Sequence, residues 1–260
     1  RAWSVTVEGD GTGIPAGADN FFAVAARATA SAARAQLPAQ HVTQRSAIPL
    51  ARGLGSSAAA IVGGCLAANA LLGSALDRRT LLRVATEVEG HADNVAAALY
   101  GGFTVALPTP EGPAAARFAF PGAWRACVFV PSGSLATEEA RAVLPASVPR
   151  ADAIFNLSHA AALVAAVLRA DGALLSLAMH DRLHQPARLR LVPALDDIAV
   201  AARSAGAFGA ALSGAGPSVI AFAPARLAPR VVAAMEEAAA SGGRARALRV
   251  RAAGGTVQPA

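Results

Sequence analysis

The sequence predicts an α+β fold of two-layer α/β type. Three observations point there: short apolar or alternating runs of strand character are interleaved with longer runs of helical spacing, hydrophobic residues make up 54% of 260, and Pro and Gly cluster near mid-chain. Trp3–Glu8 opens the pattern, with Val5 and Val7 alternating as in a half-buried strand. Asn20–Gln36 follows as a helix and His41–Ala47 as a second strand. Three helices are then expected at Ser57–Leu72, Thr80–Val88 and Asp93–Tyr100, before a strand at Phe103–Leu107. Pro108–Pro113 and Pro121-Gly122 mark a hairpin or a boundary, which we place near residue 122, dividing the chain into 1–122 and 123–260. Beyond it, strands are expected at Arg125–Val130, Phe208–Leu212, Val219–Ala223 and Ala247–Arg251. Helices are expected at Thr137–Leu144, Ala151–Ala170, Pro193–Ser204 and Pro229–Ala240.

The formal charge of +6 would ordinarily raise nucleic acid or an anionic membrane as partners. Every one of the 23 basic residues is arginine, however, and apart from the adjacent Arg78-Arg79 these are scattered singly without a longer basic run or interleaved aromatics, so no nucleic-acid partner is expected. Cys65 and Cys127 lie far apart in apolar stretches and read as buried free thiols of a reducing compartment. With no signal peptide opening the chain, a cytoplasmic location is expected. Gly53–Leu76 is long and free of charge, but its glycines, Ser56-Ser57 and Asn69 argue against a membrane span, so no membrane partner is expected.

The chemistry concentrates in Pro49-Leu50-Ala51-Arg52-Gly53-Leu54-Gly55-Ser56-Ser57-Ala58, which joins a strand to an alanine-rich helix. Glycines let backbone approach an anion, and the unpaired N–H groups of a helix's first turn point at negative charge. It is not a Walker loop, because no lysine follows the second glycine. A second glycine-rich stretch, Leu212-Ser213-Gly214-Ala215-Gly216-Pro217-Ser218, lies between two expected strands. Gly9-Asp10-Gly11-Thr12-Gly13 has no helix behind it and reads as a turn.

These two stretches closely resemble the second and third motifs of the GHMP kinases. The resemblance implies the fold of that family, with an N-terminal ATP-binding domain and a ferredoxin-like α/β C-terminal domain. It implies ATP at residues 49–58, with Gly214 and Gly216 facing it and Asn20 near the adenosine, although Asn20 reads equally well as a helix cap. Phosphoryl transfer needs a cation on the phosphate oxygens, so a carboxylate is expected beside a loop serine. Glu89-Gly90-His91-Ala92-Asp93-Asn94 resembles the family's metal-ligating segment, making Ser57 and Glu89 the expected Mg2+ pair.

His91, Asp93 and Asn94 would meet the acceptor, with Asn94 orienting its hydroxyl and Asp93 as the competing general base. Thr137-Glu138-Glu139-Ala140-Arg141 and Gln185-Pro186-Ala187-Arg188 resemble segments of the homoserine kinases in that family, with Ala187 in place of the usual aromatic. Thr137, Arg141, Arg188, Ser213 and Gly214 are thus expected at the substrate, the two arginines on its carboxylate. The implied reaction is ATP-dependent phosphorylation of the homoserine hydroxyl for threonine synthesis, by an enzyme that could assemble as a homodimer. Its rivals are a mevalonate-type or sugar kinase and a catalytically silent binding protein of the same fold. The family's first motif, an Asn-Leu-Gly-Pro-Gly-Phe-Asp type of loop, has no counterpart in residues 1–260, so the chain as given is expected to bind nucleotide with weak or absent turnover.

Overall fold

The structure, a computed structural model, describes residues 4–9, 14–15, 17–38, 40–135, 137–192, 194–240 and 242–258. Residues 10–13, which carry most of the expected Gly9–Gly13 turn, lie outside them. The chain forms two compact units. The first gathers Arg1–Leu50, Gly55–Ala119 and Arg251–Ala260, and the second gathers Ala51–Leu54 and Phe120–Val250.

In the first unit β1 (Ser4–Gly9) and β2 (His41–Ser46) pair in parallel, from Ser4 opposite His41 to Gly9 opposite Ser46. Parallel neighbours need a crossover, which α1 (Phe21–Ala32) provides. α2 (Ser56–Leu71), α3 (Arg78–Glu89) and α4 (Asp93–Tyr100) share a core with α1 built on Ala25, Ile61, Cys65, Leu81, Val95 and Leu99. A Cβ at Gly64 would overlap the Phe22 carbonyl, so glycine there sets how closely α1 and α2 approach. β3 (Phe103–Thr109) and β4 (Gly112–Phe118) form an antiparallel hairpin whose tight end pairs Thr109 with Gly112, inside the Pro108–Pro113 segment expected to turn. β4 itself escaped sequence reading because Pro113 and Ala114–Ala116 carry no strand preference.

Residues 251–258 return to this unit. Gly102 N–H donates to Arg251 O at 2.9 Å and Gly255 N–H to Ala98 O at 2.8 Å. Arg117 Nη2 donates to Ala252 O at 2.7 Å. Gly101 and Gly254 have no room for a Cβ, so this strap lies directly on backbone.

In the second unit β5 (Trp124–Pro131) leads to α5 (Thr137–Ala142), α6 (Arg150–Arg169), α7 (Gly172–Ala178), α8 (Gln185–Arg188) and α9 (Ala194–Ser204). After them come β6 (Gly209–Leu212), β7 (Val219–Pro224), α10 (Ala228–Glu237) and β8 (Gly243–Leu248). The sheet is wholly antiparallel in the order β6-β7-β5-β8, the ferredoxin-like order, with α9 and α10 packed on it. Cys127, Phe129, Ile198, Val219, Val231 and Met235 fill the layer between.

β8 begins upstream of the expected Ala247–Arg251. Its buried residue is the small Ala245, while the larger Leu248 is 48% exposed, so apolar side-chain size misled the register. α7 and α8 were not expected, being short. α2, inside the charge-free Gly53–Leu76 stretch, buries Ile61, Val62, Cys65 and Ala68 in the core. Among the described residues the helix long and apolar enough to cross a membrane is instead α6, with a mean hydropathy of 1.6 and 11% of its apolar window buried.

Candidate active site

Gly55, at φ 72°, stands before the first turn of α2 without a side-chain cap, so the N–H groups of Ser56, Ser57 and Ala58 open an anion-binding helix start. α3 ends on Glu89 because Gly90 takes the left-handed conformation, φ 88°, that terminates a helix, and α4 restarts at Asp93. This tight break delivers Glu89 to the head of α2. Ser57 Oγ donates to Glu89 Oε1 at 2.7 Å, and the Glu89 side chain is 7% exposed.

The next residues join the same group. His91 Nε2 lies 3.9 Å from Glu89 Oε1, and His91 Nδ1 lies 2.5 Å from Asp93 Oδ1, which also accepts from Asn94 N–H at 2.8 Å. Asn94 Oδ1 sits 3.7 Å from where a Gly55 Cβ would be, so its amide borders the loop. Ser57, Glu89, His91, Asp93 and Asn94 are therefore one cluster in the first unit.

A hydroxyl and a nearly buried carboxylate in contact form a hard-oxygen donor pair. That set fits Mg2+, which binds through one or two carboxylates plus phosphates and keeps waters. It does not fit a closed protein cage, and no group of three or more His, Cys, Asp or Glu that could hold a metal occurs among the described residues. Asn20 is buried, accepts from Phe22 N–H at 2.8 Å as the cap of α1, and donates to Pro15 O and Gln44 Oε1. Its polar atoms are thus taken up within the protein.

In the second unit, Ala51–Leu54 and the 213–218 loop interlock. Ser213 Oγ donates to Gly53 O at 2.8 Å, Ser218 N–H donates to Arg52 O at 3.3 Å, and a Cβ on Gly53 would overlap the Ser213 carbonyl. Arg52 ties the same segment to the end of β5, its guanidinium reaching Pro131 O at 3.2 Å and Ser132 O at 2.9 Å. Gly214 and Gly216 hold positive φ, 56° and 85°, which shapes the loop.

Arg188 Nη1 donates to Gly214 O at 3.0 Å and Nε to Ala140 O at 3.2 Å. Burial lowers the pKa of its guanidinium; Asp181 opposes this, and Arg141 adds to it by repulsion. The structure thus brings the two arginines into one electrostatic neighbourhood, where an anion would relieve their repulsion. The Thr137 side chain lies outside the described residues.

Sequence reasoning missed what holds Arg188 in place. Burial pushes the Asp181 carboxyl up, but N–H donors from Gln185, His184 and Leu183 and the Asn156 amide outweigh it and hold the pKa below the usual carboxylate range. Gln185 Oε1 then accepts from Leu212 N–H at 3.0 Å. An Asp followed by a short Pro-containing helical turn was the available signal.

The profile described as "GHMP kinases N terminal domain" matches residues 14–102, and "GHMP kinases C terminal" matches 160–241. A homoserine kinase of Moorella thermoacetica is 44% identical over 240 residues, covering 92% of this chain and 80% of the relative. One from Desulfitobacterium hafniense is 40% identical over 243 residues, covering 93% and 82%. The crystal structure of homoserine kinase from Cytophaga hutchinsonii superposes with a TM-score of 0.87 at 30% identity, covering 96% of this chain and 83% of that one.

Proposed function

This chain belongs to the GHMP kinases and, among them, to the homoserine kinases; it is an ATP-dependent kinase of homoserine, and we propose a division of labour among its residues. The observation that carries the proposal is the contact of Ser57 with the nearly buried Glu89 at the open start of α2. Residues 49–58 take the ATP phosphates, with Gly214 and Gly216 on the same ligand. Ser57 and Glu89 hold Mg2+. The cation, when bound, neutralises charge on the phosphate oxygens.

In the reaction the homoserine hydroxyl oxygen bonds to the γ-phosphorus, the bond to the β–γ bridging oxygen breaks, and ADP leaves. Asn94 orients the hydroxyl but has no basic atom. Asp93 Oδ1 is occupied by Asn94 N–H and His91, which supports positioning rather than proton abstraction. The hydroxyl proton then passes to the transferred phosphoryl group, and rate comes from orientation and charge neutralisation. Arg141 and Arg188 hold the substrate carboxylate, beside Thr137 and Ser213. Two domains, close to 1–122 and 123–260 apart from the exchange of Ala51–Leu54 and Arg251–Ala260, divide these tasks. A cytoplasmic enzyme of threonine biosynthesis, a homodimer with no nucleic-acid or membrane partner, completes the reading.

The test is ADP release with homoserine, mevalonate and galactose as acceptors. Whatever turnover residues 1–260 sustain, however slow, is expected with homoserine alone, and turnover that prefers another acceptor would overturn the substrate assignment. Asp93→Asn should leave the pH–rate profile flat across the carboxylate range with a mild rate loss; a large loss would make Asp93 the base.

A further inference from the structure

Within the second unit, α7, α8, α9 and the outer edge of β6 enclose a cavity of about 250 Å³. β6 is a terminal strand of its sheet, so one side of its backbone meets β7 and the other meets this cavity. On that outer side Leu212 N–H donates to Gln185 Oε1 at 3.0 Å. Backbone groups two residues apart in a strand point the same way, so the N–H and C=O of Ala210 also face outward, into the cavity. They meet no partner there among the described residues, although Ala210 is only 7% exposed. A buried strand rung left open is costly, and it is a template for another backbone. The cavity also carries opposite charges at its two ends. Asp196 and Arg203 both line it from α9, where seven residues set them within about 20° on the helix wheel and about 10 Å apart along the axis. Neither side chain has an ionic or hydrogen-bonding partner among the described residues. Arg203 stands at the end of α9 that leads into Gly209, the start of β6. Asp196 stands toward the opposite end, where α8 meets Leu212 and the Asp181 carboxylate beside Gln185 adds negative charge.

We propose that this cavity is a binding site for a free tripeptide with an apolar central residue, laid antiparallel along β6 as an added strand. The central residue closes the open rung, its N–H donating to Ala210 O and its carbonyl accepting from Ala210 N–H. In that direction the peptide's ammonium group lies toward Asp196 and its carboxylate toward Arg203. Three residues at about 3.4 Å each match the distance between the two charges. Directly opposed residues of neighbouring strands point to one face of a sheet, and Ala210 points to the face that α9 covers. The central side chain therefore enters among Leu189, Leu195 and Ala199, which line the cavity between its charged ends. A single α-amino acid fits less well. Its two charges lie too close together to reach both ends, and it has no amide to offer the rung.

Titration calorimetry with the peptide Ala-Val-Ala should find saturable binding at one site per chain, and hydrogen exchange at the Ala210 amide should slow by about 10-fold or more at saturation. Asp196→Ala and Arg203→Ala, both at exposed residues, should each raise the Kd by about 5-fold without changing the melting transition. N-methylation of the central amide removes the N–H that Ala210 O accepts and should abolish binding. Absence of saturable binding at millimolar peptide would overturn the proposal, as would an affinity that both variants leave unchanged. Equal affinity for acetyl-Ala-Val-Ala-amide would make the cavity a dock for internal segments of proteins and overturn the assignment to a free peptide. A Kd that rises in proportion to added homoserine would put the peptide in the acceptor site and equally overturn it.

Discussion

Ser57 and Glu89 are far apart in sequence and meet because Gly90 breaks α3 where it does. If they hold Mg2+, Ser57→Ala and Glu89→Ala should each lower kcat by about 100-fold, with the loss read in ADP release across a magnesium titration. Unchanged rates would refute the pair. Gly53 permits a sharper structural test. Its φ of 68° and the Ser213 carbonyl both exclude a side chain, so Gly53→Ala should cost about 2 kcal/mol or more in urea unfolding and raise KM for ATP. Gly53 and Ser57 were legible in the sequence because glycines before a helix are a local signal, whereas Glu89 was reached only through the family resemblance. The engaged state of Asn20 was only half legible: its role as a cap is local, but its bond to Gln44 needs β2 beside α1.

The short helix α8 shows where local signals stop. Four residues cannot sustain a helix alone, and α8 stands because Asp181 accepts the N–H groups of Leu183, His184 and Gln185 ahead of it. Asp181 is charged in that role and its pKa is depressed, so the stability it contributes is present above the unfolded-chain value of about 3.9 and is lost as pH falls through the lower folded value. Asp181→Asn should therefore cost about 1–2 kcal/mol near neutrality, after allowance for its part exposure, and the gap from the parent protein should close below about pH 4. Chemical denaturation over a pH series measures it. The same substitution should raise KM for homoserine more than it lowers kcat, since Arg188 stands on α8. The long helices and most strands could be read from periodicity; β4, α7, α8 and the offset of β8 could not, because alanine serves both states and carries little pattern.

At the scale of the whole molecule, the sequence order suggested a single cut near residue 122, whereas contacts assign Ala51–Leu54 to the second unit and Arg251–Ala260 to the first. No composition shift announces either exchange. Deleting residues 251–260 should accordingly weaken a unit distant in sequence. It removes the partners of Gly102 N–H, Ala98 O and Arg117, so hydrogen exchange should quicken in α4 and β3 while the β5–β7 core keeps its protection. Equal quickening in both units would contradict this. The strap also orders events during synthesis. A ribosome makes α1 to β4 first, yet the residues that finish packing against α4 are translated only after every strand of the second unit. The first half of this chain therefore leaves the exit tunnel with an open seam, and it is the half that depends on waiting.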